Sequence, residues 1–157
     1  MKHQIFLGLG SNIGDRDVNL NQALELLQNE IGELVKVSSV FETKAWGITD
    51  QGDFLNIAAE FQTKLFPLQV LDIILDIETK MGRKRIQKWG ARNIDIDILY
   101  FNNWYFHFPN LTVPHPYISE RSFVLSPLSE IAGDFRHPII KQKQNQLLEK
   151  LTQLQEL

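Results

Sequence analysis

The sequence predicts an α+β fold of the ferredoxin-like type, a β-α-β-β-α-β sandwich. Its four-stranded antiparallel sheet carries helices on one face and C-terminal additions. Two observations carry this prediction. Hydrophobic periods of 2 and 3.6 residues alternate in that order over residues 5–101. The 157 residues are 43% hydrophobic, which suits one domain spanning 1–157 with a sizeable core.

The first strand is predicted at 5–9, with Ile5, Leu7 and Leu9 on one face and Phe6, Gly8 and Gly10 on the other. Its glycine spacing, G-x-G-x-x-x-G, is not the dinucleotide fingerprint. A tight turn with glycines at positive φ is the better reading, and a ligand could still approach Gly8 and Gly10 closely. The spacing of Leu20, Ala23, Leu24, Leu27 and Ile31 predicts a helix over 16–31. Residues 34–43 read as the second strand and 44–53 as a loop holding Trp46, which either caps the core or meets a ligand. The third strand, 54–63, turns Leu55, Ile57, Ala59 and Phe61 inward and Phe54 and Asn56 outward. An asparagine beside an aromatic ring can read a flat heterocycle or simply be a solvated edge; the residues alone leave both open.

Pro67 opens the second helix, whose apolar face is Val70, Ile73, Ile74, Ile77 and Met81, with Gly82 just past its end. After the fourth strand, Asn102-Asn103 reads as a turn into an aromatic segment. Prolines on both sides hold His115 in extended backbone. Ser119 is positioned to cap a short helix, with Arg121 and Phe123 following, and 127–132 adds another turn or two. The segment 135–138 carries no signal, and 141–155 reads as a packing helix without chemistry.

The chemistry concentrates in 82–99. Lys80, Arg83, Lys84, Arg85, Lys88 and Arg92 surround Trp89 with no acidic residue among them. Then comes the alternating strand Ile94-Asp95-Ile96-Asp97-Ile98. In a strand the two aspartates share a face with Cα atoms about 6.5 Å apart, close enough to share a cation. Carboxylates, cations and an indole so near one another point to a metal-bound polyphosphate. The four strands put Gly8, Gly10, Phe54, Asn56, Asp95 and Asp97 on one sheet face, away from the helices.

Composition narrows the partners. A net charge of -3 argues against a nucleic-acid-coating surface, so the basic cluster should meet a small polyanion. There are no cysteines, hence no disulfides, and no span long enough to cross a membrane. The expectation is a cytoplasmic monomer. A small-molecule regulatory module would not need the aspartate pair. An RNA-binding sheet would want more aromatics and positive charge.

The run Lys88-Trp89-Gly90-Ala91-Arg92-Asn93-Ile94-Asp95-Ile96-Asp97-Ile98-Leu99 resembles the signature of the 6-hydroxymethyl-7,8-dihydropterin pyrophosphokinase family of folate biosynthesis. Further blocks agree in order: Gly8-Leu9-Gly10-Ser11-Asn12; Phe41-Glu42-Thr43 with Trp46-Gly47; Phe54-Leu55-Asn56; Glu78 with Gly82-Arg83; and Val113-Pro114-His115-Pro116 with Arg121-Ser122-Phe123. The resemblance covers about residues 4–132. It implies the ferredoxin-like fold and an ATP-dependent transfer of pyrophosphate to the hydroxymethyl group of the dihydropterin, releasing AMP. It implies Asp95 and Asp97 as ligands of a pair of Mg²⁺ ions. Arg83 and Arg92 would act on the transferring group, and Arg85, Trp89, Thr112, His115 and Arg121 would hold ATP. Phe54 and Phe123 would sandwich the pterin, with Thr43, Ala45, Trp46 and Asn56 at its rim. Lys88 replaces the usual arginine and Ala45 and Ala91 replace frequent prolines. A lysine there offers a point charge without a bidentate fork.

Overall fold

A computed structural model describes residues 1–43, 53–82 and 93–155. At its centre is β1 (His3–Ser11), paired antiparallel on one side with β4 (Phe54–Thr63) and on the other with β5 (Asp95–Phe101). Beyond β4 lie β2 (Gly32–Val37) and β3 (Phe41–Thr43), both antiparallel to it. The order β2-β4-β1-β5 is that of the ferredoxin-like sandwich expected from sequence.

The strand expected at 34–43 is two strands, so among the described residues the sheet has five strands rather than four. Ser38 marks the break. Its N–H donates to the Ala58 carbonyl at 2.9 Å, and its hydroxyl oxygen accepts the Ala58 N–H at 2.9 Å. A side chain thus takes over one rung of the ladder, and the backbone turns there without stranding a buried amide.

Helices α1 (Arg16–Glu30) and α2 (Pro67–Lys80) cover one face. Asp15 caps α1 by accepting the Val18 N–H at 3.1 Å. Pro67 stands in the first turn of α2, and Gly82 follows that helix at φ +82, a conformation glycine takes without strain. Ile5, Leu7, Leu9, Leu27, Phe61, Ile74, Ile77 and Ile96 form the core between these helices and the sheet.

The other face is half covered. The 3₁₀ turn Ile118–Glu120, α3 (Ser122–Ala132) and α4 (Gln144–Gln155) pack on Phe6, Ala58, Leu99 and Tyr100 through Ile118, Leu125, Leu128 and Leu147. A bulge makes this second core possible. Phe6 faces Tyr100 but Leu7 faces Ile98, so Leu99 is an extra residue and joins Tyr100 on the α3 side. The helix expected at Ser119 is only that 3₁₀ turn, and α3 runs unbroken from Ser122 through Pro127. Phe135 and His137, from a segment silent in sequence, pack against this core. The Phe135 ring lies 5.0 Å from Phe6 and 4.8 Å from Tyr100, centre to centre. The aromatic segment forms a hairpin, β6 (Phe106–Phe108) and β7 (Leu111–Val113), beyond the turn at Asn102. Among the described residues no helix is long and apolar enough to cross a membrane.

Leu128 is fully buried in the second core. Leu128→Ala should therefore lower unfolding free energy in urea by about 2–5 kcal/mol. A loss comparable to that of an exposed substitution would show that α3 is not a core layer.

Candidate functional site

The site begins with one row of the sheet. Asn56 on β4 faces Phe41 on β3 and Gly10 on β1, and Gly10 faces Asp95 on β5. In the next row on the same face Gly8 faces Ala58 and Asp97. Strands are about 4.8 Å apart, so Asn56 and Asp95 stand about 10 Å from each other across a residue with no side chain. A Cβ on Gly10 would lie 2.9 Å from Asn56 Oδ1 and 3.5 Å from the Phe54 ring. Glycine here keeps a shallow trough open between an amide, an aromatic ring and a carboxylate.

Asn56 is buried, and its Nδ2 donates to Thr43 Oγ1 at 2.9 Å. Thr43 itself faces Phe54 in the register, so the amide, the hydroxyl and the ring meet at one end of the trough. At the other end Asp95 and Asp97 are half-buried while Ile94, Ile96 and Ile98 between and beside them are buried. Among the described residues no group of three or more histidines and acids comes together. A cation held by the two aspartates would therefore complete its shell with water and phosphate oxygens. That donor set is hard, partial and open, which fits Mg²⁺ with a bound polyphosphate.

Beside β5, against the hairpin, runs a groove of about 330 Å³. Leu71, Ile98 and Leu111 supply apolar wall, and Asp97, Thr112 and His115 supply polar groups. Its size and mixed lining suit a heterocycle with a charged tail. Thr112 Oγ1 is 2.6 Å from His107 Nδ1, which orients the hydroxyl.

His115 is set by its backbone and its ring. Its N–H donates to the Leu99 carbonyl at 3.0 Å, and its Nδ1 accepts the Tyr117 N–H at 3.2 Å. The neutral ring then carries its proton on Nε2. Burial, and next the charge of Arg121, lower the His115 pKa to about 4, against an opposing pull from Asp95. So His115 is a neutral donor at pH 7. The Arg121 guanidinium lies 4.9 Å from the centre of the Tyr117 ring and 5.6 Å from that of Phe123, stacked at the start of α3.

The structure thus gathers Thr43, Phe54 and Asn56 at one end of the trough and Asp95 and Asp97 at the other. Thr112 and His115 share the groove with Asp97, and Arg121 joins His115 to Phe123. Ala45, Trp46, Arg83, Arg85, Trp89 and Arg92 lie outside the described residues. Sequence reasoning missed Leu71 and Leu111 as groove walls. Leu71 carried a signal, an apolar residue off the apolar face of its helix.

The family profile described as 7,8-dihydro-6-hydroxymethylpterin-pyrophosphokinase (HPPK) matches residues 6–133. The 2-amino-4-hydroxy-6-hydroxymethyldihydropteridine pyrophosphokinase of Aquifex aeolicus is 44% identical over 137 residues, covering 87% of this chain and 85% of that one. The Bacillus subtilis protein of the same name is 46% identical over 132 residues, 83% of this chain and 79% of that one. The fold is similar to the crystal structure of Plasmodium falciparum HPPK-DHPS wild type, with a TM-score of 0.83 at 17% identity. That alignment covers 99% of this chain but 46% of the other, so the chain spans under half its length.

The His115 environment predicts a titration. Its imidazole resonances should move with a midpoint near 4 rather than 6.5. The unfolded chain takes up this proton below about 6.5 and the folded one only near 4, so His115 makes stability fall as pH drops through that window. A midpoint near 6.5 would contradict the burial described.

Proposed function

The chain belongs to the 7,8-dihydro-6-hydroxymethylpterin-pyrophosphokinase family, and from that premise we infer how its own residues serve the reaction. The activity is transfer of the terminal pyrophosphoryl unit of ATP to the hydroxymethyl group of 6-hydroxymethyl-7,8-dihydropterin in folate synthesis. The substrate oxygen bonds to the β-phosphorus, the bond from that phosphorus to the α,β-bridging oxygen breaks, AMP leaves, and the hydroxyl proton passes to solvent. The row Asn56–Gly10–Asp95 carries the reading, because it sets a heterocycle reader and a carboxylate on either side of an open trough.

In this reading the pterin lies at the Phe54 end, with Phe123 as the second ring against it. Asn56 and Thr43 meet its hydrogen-bonding edge, and the backbone at Ala45 and Trp46 completes the rim. ATP takes the groove of Leu71, Thr112 and His115, its phosphates running toward Asp97 and Asp95. Those two carboxylates hold Mg²⁺, which when bound neutralises phosphate charge and sharpens the electrophilic β-phosphorus. His115, neutral, donates Nε2–H to a phosphate oxygen and fixes direction without adding charge. Arg121 adds charge from the start of α3. Arg85 and Trp89 hold the triphosphate, and Arg83 and Arg92 meet the negative charge that develops on the leaving bridge oxygen. No side chain is needed as a general base. Alignment of the two reactants and neutralised charge supply most of the acceleration.

The decisive assay mixes the protein with ATP, Mg²⁺ and hydroxymethyl-dihydropterin and separates the nucleotides. AMP is expected; ADP alone would mean ordinary γ-transfer and end this reading. Asp95→Ala and Asp97→Ala should each lower kcat/KM by about 10²–10³-fold or more. Chelation with EDTA should abolish turnover and Mg²⁺ restore it.

Gly10→Ala tests the trough separately. Its methyl displaces the Asn56 amide and breaks the bond to Thr43, a loss of about 1 kcal/mol. The dihydropterin KM should rise about five- to tenfold, with the KM for ATP nearly unchanged. Gly8→Ala, whose Cβ would find its nearest neighbour, the Leu99 side chain, at an ordinary 3.4 Å, should have little effect.

A further inference from the structure

A buried acid remains that the reaction as described does not use. Glu78 lies in the last turns of α2 and is 3% exposed, next to Ile77 in the core. A carboxylate at such a place costs several kcal/mol unless its oxygens are satisfied. Glu78 Oε2 accepts the Ile96 N–H at 2.9 Å.

The location of that amide gives the bond its meaning. Ile96 is the residue between Asp95 and Asp97. Among the described residues β5 is an edge of the sheet, with β1 on one side and no strand on the other. An edge strand lacks the second ladder that would hold its peptide planes. Rotation of the peptides around Ile96 would swing the flanking side chains and change the spacing of the two carboxylates. Glu78 supplies a fixed acceptor there, from a helix anchored in the main core. A second tether acts just upstream, where Asn93 Nδ2 donates to the carbonyl of Met81 at the end of α2.

We propose that Glu78 is a positioning residue: by holding the Ile96 amide it fixes the stretch of β5 that carries Asp95 and Asp97, and so sets the carboxylate pair for a divalent cation. The proposal rests on the reading of Asp95 and Asp97 as metal ligands. Groups that orient a metal ligand typically change affinity 10- to 100-fold when removed. Glutamine keeps an acceptor oxygen at this position and leucine keeps only the volume, so the two variants separate the hydrogen bond from packing.

The test measures Mn²⁺ binding to wild type, Glu78→Gln and Glu78→Leu by electron paramagnetic resonance, with α,β-methylene-ATP present. The Ile96 amide is followed by ¹⁵N NMR. Glu78→Leu should weaken Mn²⁺ binding at least about tenfold and shift and deprotect the Ile96 amide. Glu78→Gln should stay within about threefold of wild type and keep that amide protected. Leucine binding Mn²⁺ as wild type does would overturn the proposal. If leucine prevents folding, Glu78→Gln decides: a tenfold loss there, with the amide still protected, would mean the carboxylate acts by charge and not by holding Ile96. A wild type that takes up no Mn²⁺ would overturn the metal-site reading and this proposal with it, whereas AMP formation in the product assay tests the activity independently.

Discussion

The site depends on one cross-strand register, the row in which Gly10 faces Asn56 on one side and Asp95 on the other. Side chains in a sheet alternate, so a slip of one residue on either side would turn Asn56 or Asp95 into the core and bring Leu55 or Ile96 to the trough. The hydrophobic pattern prevents the slip. Leu7, Leu9, Leu55, Ile57, Ile96 and Ile98 all bury against α1 and α2 only in the observed register. The apolar face of the sheet therefore fixes the chemistry on its opposite face. The same pairs that stabilise the fold hold a carboxylate and an amide in line across a glycine.

That opposite face serves two purposes, and the bulge at Leu99 divides them. Toward the Asp95 end β5 alternates strictly, leaving Asp95 and Asp97 half-buried on the trough side. Past Leu99 the extra residue places Leu99 and Tyr100 together under α3 and α4. One continuous strand thus supplies both a polar site and a second core. The second core is also what places α3. It packs on Phe6 and Leu99 through Leu125 and Leu128, with Arg121 as its N-cap residue and Phe123 in its first turn. A further link joins the α3 layer to the segment just before β3, where the Ser39 hydroxyl donates to Glu130 at 2.7 Å and its N–H donates to the same carboxylate. Those bonds lower the Glu130 pKa.

The main sheet and its two helices were legible in sequence because their patterns are local. Alternation in residues 5–9 and 94–98 and the 3.6-residue spacing in 67–81 identify buried faces without tertiary information. Asp95 and Asp97 were legible for the same reason, since two acids in an alternating apolar strand must share its other face. Three features were not legible. Ser38 breaks a strand through bonds to Ala58, twenty residues away in the chain. Phe135 acquires a role only when Phe6 and Tyr100 are brought to it. Glu78 stands out in sequence only through the block it shares with the resembling family; the helix pattern gives it no role. Its burial follows from the placement of α2 under the edge of β5, which no local pattern encodes. Each depends on a partner distant in sequence, and a reading of periodicity carries no information about such partners.

The described part of the site is charged sparingly, and that has a consequence for recognition. Asp95 and Asp97 put two carboxylates side by side on the trough face, and in the reading proposed above a cation offsets them. His115 could offset some of that charge if protonated. Its burial and the nearby Arg121 instead keep the ring neutral, with the pKa lowered to about 4. Neutrality gives the imidazole a defined proton on Nε2, because Nδ1 already accepts from Tyr117. A donor fixed in this way has direction without charge. Across the pH range where an ordinary histidine would switch on and off, this one does not change state. The groove therefore presents the same hydrogen-bonding face from His115 throughout that range.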